Sequence, residues 1–191
     1  CKNLLAGALL LNQNRQNAAI ESLKIALDQS QKCYFTDFEI LALRLLRNSS
    51  SYSGYWRAFQ KYDSELKHAL NTLNKEMIAE ELNQELILEV VSSVATRDTW
   101  VERVKNNFHE LQKIVKEFDT YTTRLTMYRV GIRYYDSIFD YKNAIKLAAD
   151  CESYLINKPH LVQKVRLGEM NLNKLYGSLH IRDYGNGSKY A

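Results

Sequence analysis

Between Asp140 and Asn157 apolar side chains return every third or fourth residue: Tyr141, Ala144, Ile145, Ala148, Cys151 and Leu155. That spacing sets them on one face of a helix. Lys142, Asn143, Lys146, Asp150 and Ser153 fall on the other sides and can stay in water. Asp140 is suited to cap the first turn, because its carboxylate accepts a bond from a free backbone N–H. Asn157-Lys158-Pro159 is a stop signal, since the residue before proline is pushed out of the helical region. Upstream, Leu125, Tyr128, Ile132, Tyr135 and Phe139 repeat with the same period and predict a helix over 121–139. A short turn at Phe139-Asp140 makes the pair a hairpin. One member offers small side chains and the other large ones, so the two can approach closely.

The same period predicts helices through the rest of the chain. Residues 2–13 carry Leu4, Leu5, Ala8 and Leu11, and 18–32 follow a polar turn at Asn12–Asn17. Thr36-Asp37-Phe38-Glu39 has the spacing of a capping box and opens a helix to Arg47; Asn48–Ser51 reads as a loop. Tyr52–Asn74 and Lys75–Val94 are the next two helices, the latter acidic on one side through Glu76, Glu80, Glu81, Glu85 and Glu89. Thr99–Glu102 is a second candidate capping box. The helix after it has a seam of Val101, Val104, Phe108, Leu111, Val115 and Phe118. Leu161–His180 carries Val162, Val165, Leu172, Leu175, Tyr176 and Leu179, and Asp183–Ala191 opens a further helix that stops short. The count is about nine helices.

Phe139-Asp140-Tyr141-Lys142-Asn143 and Lys146 are echoed 43 residues later by Arg182-Asp183-Tyr184-Gly185-Asn186 and Lys189. Ala19-Ile20, Leu23 and Ala26 match Ala144-Ile145, Ala148 and Cys151 at an offset of 125 residues, close to three such periods. Residues 4–27 resemble a tetratricopeptide repeat: Gly7 falls at the small position of a first helix, Ala19 and Ala26 at the small positions of a second, and Leu23 at its large one. The hairpin at 121–159 is similar through Tyr135, Ala144 and Pro159, with Gly131 one residue out of place. The period in that family is about 34 residues, against about 42 in this chain. The resemblance implies an all-α, right-handed solenoid of antiparallel hairpins, forming one helical-repeat domain over residues 1–191. It also implies a non-catalytic scaffold that binds a protein or peptide.

Composition agrees with an all-α chain. There is one proline and seven glycines in 191 residues, too little turn chemistry for an all-β domain. Formal net charge is +4. Residues 1–118 balance 15 basic against 15 acidic side chains, and residues 119–191 hold 11 against 7, too sparse for the dense basic stripe of a nucleic-acid binder. Cys1, Cys33 and Cys151 cannot all pair within the chain, and their spacing suggests no metal. Reduced thiols point to a cytoplasmic protein. A chain beginning at Cys1 without an initiator methionine reads as a piece of a longer protein; the alternative is a lipid anchor on Cys1. No apolar run has the length of a membrane span.

His68, His109, His160 and His180 show no metal-ligand spacing, no glycine-rich phosphate loop is present, and no cofactor is expected. The 13 tyrosines suit helix–helix gaps with the hydroxyl at the wet edge. Arg129 and Arg133 lie one turn apart, with Asp136 after them. The resemblance puts them on the face that lines a concave groove, with Asn171 and Lys174 on the next first helix, where they could grip a carboxylate or acidic peptide. A homo-oligomer is compatible with this reading. The competing functions are a sensor segment of a transcription regulator whose DNA-binding domain lies elsewhere, and a helical enzyme.

Overall fold

The computed structural model describes residues 2–92, 96–158, 161 and 164–190. Cys1, Val94, Pro159, His160, Val162 and Ala191 lie outside the described residues, and with them the proline stop signal and both chain ends. Among the described residues every regular element is helical: α1 (Lys2–Asn12), α2 (Gln16–Lys32), α3 (Thr36–Tyr52), α4 (Trp56–Ser92), α5 (Arg97–Glu117), α6 (Tyr121–Ser137), α7 (Tyr141–Ile156), α8 (Lys164–His180) and the short α9 (Tyr184–Gly187). They form two compact units, residues 1–75 and 76–191, with α4 contributing to both.

Two boundaries differ from the sequence expectation. The expected loop at Asn48–Ser51 is helical, because Ser50 folds its hydroxyl back onto the Leu46 carbonyl at 2.8 Å and so stays inside the helix. The chain breaks instead at Gly54, whose φ of 70° suits glycine. The expected boundary at Asn74-Lys75 is absent, and α4 runs 37 residues. No glycine or proline interrupts it, and i,i+4 pairs such as Asp63–Lys67 at 2.7 Å reinforce it.

The caps also redistribute. Thr36 is a buried first-turn residue rather than a cap, and Glu39 accepts from Gln31 Nε2 at 2.9 Å. Thr99 lies inside α5, whose cap position is Thr96. The reciprocal box forms at the start of α6. There the Thr123 N–H donates to Thr120 Oγ1 at 3.2 Å, and the Thr120 N–H donates to Thr123 Oγ1 at 3.0 Å. Asp140 and Asp183 cap as their echo suggested, accepting from the Asn143 and Asn186 N–H groups, both at 3.2 Å.

One turn recurs. Asn14, Tyr34, Phe139 and Arg182 have φ between 57° and 59°, and Gly54 has 70°. In each case the next residue's N–H donates to a carbonyl five residues back: Arg15 to Leu10, Phe35 to Ser30, Tyr55 to Ser50, Asp140 to Tyr135, Asp183 to Ser178. This left-handed C-terminal cap satisfies the last carbonyls and reverses the chain. It joins α1 to α2, α6 to α7 and α8 to α9, and the echo at an offset of 43 residues falls on the last two of these turns.

In the first unit, Leu4, Leu23, Ile40, Leu43, Leu46, Tyr62 and Leu66 form the core. Gly7 sits against Leu23: an added Cβ would lie 2.6 Å from Leu23 Cγ. In the second unit, Val104, Phe108 and Leu111 of α5 pack on Ala79 and Leu86 of α4 and on Val130 of α6. Leu125, Tyr128 and Ile132 of α6 pack on Ala148, Cys151 and Leu155 of α7 and on Met170 of α8. A Cβ on Gly131 would lie 2.5 Å from both Leu147 Cδ2 and Phe108 Cε2, and one on Gly177 2.7 Å from Ile145 Cγ1. In α8 the structure buries Met170, Lys174, Gly177 and Ser178, whereas Val165, Leu172, Tyr176 and Leu179, expected as its apolar face, are exposed.

Two outcomes follow for thermal unfolding. Gly131→Ala lowers stability by about 1–3 kcal/mol, because Phe108 and Leu147 must yield space inside a packed core. Arg182→Gly raises it by up to about 1 kcal/mol, because the left-handed conformation at Arg182 carries a steric penalty that glycine lacks. Tm by circular dichroism reads both; unchanged Tm in Gly131→Ala is inconsistent with the close approach.

Candidate functional site

The second unit contains an open polar cavity of about 270 Å³. Its walls are α4 (Glu80, Asn83, Gln84), α6 (Tyr121, Thr122, Leu125, Thr126, Arg129) and α8 (Arg166). α6 is fixed there by its buried positions and by the Thr120–Thr123 cap. α8 is fixed by Met170 in the core and Gly177 against Ile145.

Of the two arginines expected at a groove, Arg129 lines this cavity, and Arg133, one turn on, reaches it only through its bond to Asn83. The Arg129 fork is taken from within: Nε donates to Glu169 Oε1 at 3.1 Å and Nη2 to Glu169 Oε2 at 2.5 Å. Arg133 Nη1 donates at 2.7 Å to Asn83 Oδ1, a neutral amide. Burial, together with the neighbouring Arg129 charge, disfavours the Arg133 guanidinium; the Glu169 charge favours it. Arg166 Nη1 donates to the Tyr121 hydroxyl at 2.7 Å and lies over that ring. Two guanidiniums, of Arg129 and Arg166, therefore line the site together with the carboxylate of Glu80, and Arg129 is already paired with Glu169.

The other expected residues are placed elsewhere. Asp136, half-buried one turn beyond Arg133, has its carboxyl pushed above the ordinary range by burial, opposed by the electrostatic influence of His180. Its neighbourhood is aromatic: His180 stacks on Tyr141 at 4.4 Å and meets Tyr176 edge-on at 4.4 Å. Asn171 is half-buried on α8. Lys174 is 3% exposed, donates to Glu152 Oε2 of α7 at 2.7 Å, and lies over the Tyr190 ring. The reason is register. α6 and α8 are each 17 residues long and begin 43 residues apart, so Lys174 corresponds to Gly131, which faces the paired helix, and not to an arginine at the groove.

Asn83, Tyr121, Arg166 and Glu169 belong to the site and were not singled out from sequence. The offset of 43 held a partial clue to Glu169, which lies three residues before Leu172, the equivalent of Arg129. A second depression, between α4 and α5, includes Glu85, Glu102 and Asn107; Asn107 Nδ2 there donates to the Leu82 carbonyl at 3.0 Å. Among the described residues no group of three His, Cys, Asp or Glu side chains could hold a metal, and no helix is long and apolar enough to cross a membrane. Burial pushes the Cys151 thiol up to about 12, so its thiolate is scarce at neutral pH. No family model, curated protein or solved structure matches this chain.

The Lys174–Glu152 pair gives an asymmetric expectation. Glu152→Ala strands a buried ammonium and costs roughly 2–4 kcal/mol, whereas Lys174→Met costs less, because Glu152 reaches water. Urea denaturation of both variants checks the order; a smaller loss in Glu152→Ala contradicts it.

Proposed function

We propose that this chain is a non-catalytic binding module, a right-handed array of helix hairpins of the tetratricopeptide-like kind, whose groove between α4, α6 and α8 takes a peptide segment of a protein partner. The observation that carries the reading is the open polar cavity itself, about 270 Å³ between three helices, with the Arg129 and Arg166 guanidiniums and the Glu80 carboxylate in its walls. An incoming carboxylate can form charge-assisted bonds with those guanidiniums. The side-chain amides of Asn83 and Gln84 and the hydroxyl of Thr122 offer both donors and acceptors to a peptide backbone. The walls are held by internal bonds and core contacts, so the groove itself loses little freedom when filled.

The test uses peptides selected from a random display library on the intact chain. Gln84→Trp fills the groove from an exposed position and reduces affinity at least about tenfold, equivalent to about 1.4 kcal/mol. Arg166→Gln, in the cavity wall, weakens acidic peptides and leaves neutral ones near their original affinity. Undiminished binding to Gln84→Trp places the peptide elsewhere and sinks the groove reading.

A further inference from the structure

The two longest stretches of the sequence without an acidic side chain are residues 1–20 and 40–62. The first unit brings them together. In the turn between α3 and α4, Ser53 Oγ donates to Gln16 Oε1 in the first turn of α2, at 3.0 Å. Arg15, the residue before α2, therefore lies beside that turn. Around it the chain reads Ser51-Tyr52-Ser53-Gly54-Tyr55-Trp56-Arg57. Tyr52 is 89% exposed, Tyr55 64% and Trp56 67%. The Trp56 indole stacks on Phe59, one turn along its own helix, with ring centroids 5.7 Å apart, so it stands out from the corner in a held orientation. Arg47 is neutralised by Asp63. Arg15 and Arg57 are exposed, and among the described residues neither joins an ion pair. The patch is a corner and not a cleft: a Cβ on Gly54, at its apex, would meet nothing within 4 Å.

We propose that this corner is a peripheral contact with an anionic lipid surface. Tyr52, Tyr55 and Trp56 enter the headgroup region, and Arg15 and Arg57 pair with its phosphates and carboxylates. Tyrosine and tryptophan rings have an apolar body and a polar tip, and they settle at the boundary between lipid and water. Charge selects the lipid. Unpaired guanidiniums are drawn to a negative surface, and two segments free of carboxylates bring no repulsion to it. Shape selects a bilayer over the other partners that aromatic and basic side chains serve. A peptide or a nucleic-acid strand is gripped along a groove, whereas a soft, featureless surface accepts a protruding corner. The contact lies on the bilayer and does not cross it. This inference concerns the first unit alone, goes beyond the groove of the second and stands without it.

Co-sedimentation of the intact chain with phosphatidylcholine vesicles holding about 30% phosphatidylserine, at about 0.1 M salt where charges act over about 10 Å, tests it. The chain pellets with these vesicles. Binding falls at least about tenfold on pure phosphatidylcholine, and as far at roughly 1 M salt. Two double variants, Tyr55→Ser with Trp56→Ser and Arg15→Glu with Arg57→Glu, each weaken binding at least about tenfold. Tyr184→Ser, at an equally exposed aromatic of the second unit, leaves it unchanged, and far-UV circular dichroism confirms that every variant is folded. The chain has two tryptophans, so Trp100→Phe leaves Trp56 as the reporter, and its emission shifts to the blue on the mixed vesicles. No pelleting, equal binding to pure phosphatidylcholine, or binding indifferent to the Tyr55→Ser, Trp56→Ser pair overturns the proposal. So does an oligodeoxythymidine strand that binds this corner when the vesicles do not, which assigns the aromatics to stacked bases.

Discussion

Close helix approach, made by a glycine on one helix against a large side chain on the next, is the constraint on which the remaining structure depends. Gly7 admits Leu23, Gly131 admits Phe108 and Leu147, and Gly177 admits Ile145. None of these glycines has a left-handed backbone; each is needed for space. A wider separation would leave the tight turns at Asn14, Phe139 and Arg182 unable to bridge the helix ends, because a reversal made by one left-handed residue has almost no reach. Packing and turn geometry therefore specify each other. The steric penalty at four non-glycine left-handed residues is tolerated because the helices on both sides are already held.

That constraint sets the groove. α6 is wedged between α5 and α7 by Gly131, so its remaining face has one orientation toward α4 and α8. Arg129–Glu169 and Tyr121–Arg166 then tie α6 to α8 across the floor of the cavity. A bidentate pair that is partly shielded from water is stronger than a surface pair, yet its net contribution is reduced by the desolvation of both ions. Its clearer effect is geometric: it fixes Arg129 at the cavity wall, while Arg133, one turn on, is bonded to the neutral Asn83 amide.

The helical character, the hairpin at α6/α7 and its small-against-large packing were legible in the sequence because local period and side-chain size suffice to state them. Asp140 and Asp183 were legible for the same reason. What failed was whatever a distant contact decides. Nothing within Asn48–Ser51 says that Ser50 will bond its own helix instead of leaving it. Nothing near Asn74 shows that Ala69 and Ala79 will both be buried, in different units, along one unbroken helix. Thr120–Thr123 was overlooked because threonine supplies the returning oxygen where a search expects Glu or Gln. At the groove, the arginines were visible as a pair one turn apart, but their partners Asn83 and Glu169 lie 50 and 40 residues away. A one-residue choice of register decided that Lys174 would face Glu152.

The comparison of α6 with α8 shows how little the shared backbone dictates chemistry. The two helices end in the same turn, are followed by the same Asp-Tyr-x-Asn cap and occupy equivalent places 43 residues apart. Only positions that meet the paired helix are constrained, and even there Gly131 is replaced by Lys174, with the ammonium accommodated by Glu152 and Tyr190. The outward positions are free of that constraint, and they differ most: two arginines and an aspartate on α6, two leucines and a tyrosine on α8. A position with no structural task in the hairpin is shaped by whatever lies against it. For α6 that is α8 and the groove, which favour charge. For α8 the corresponding side chains keep half or more of their surface in water, Tyr176 while its ring packs on Tyr141 and His180.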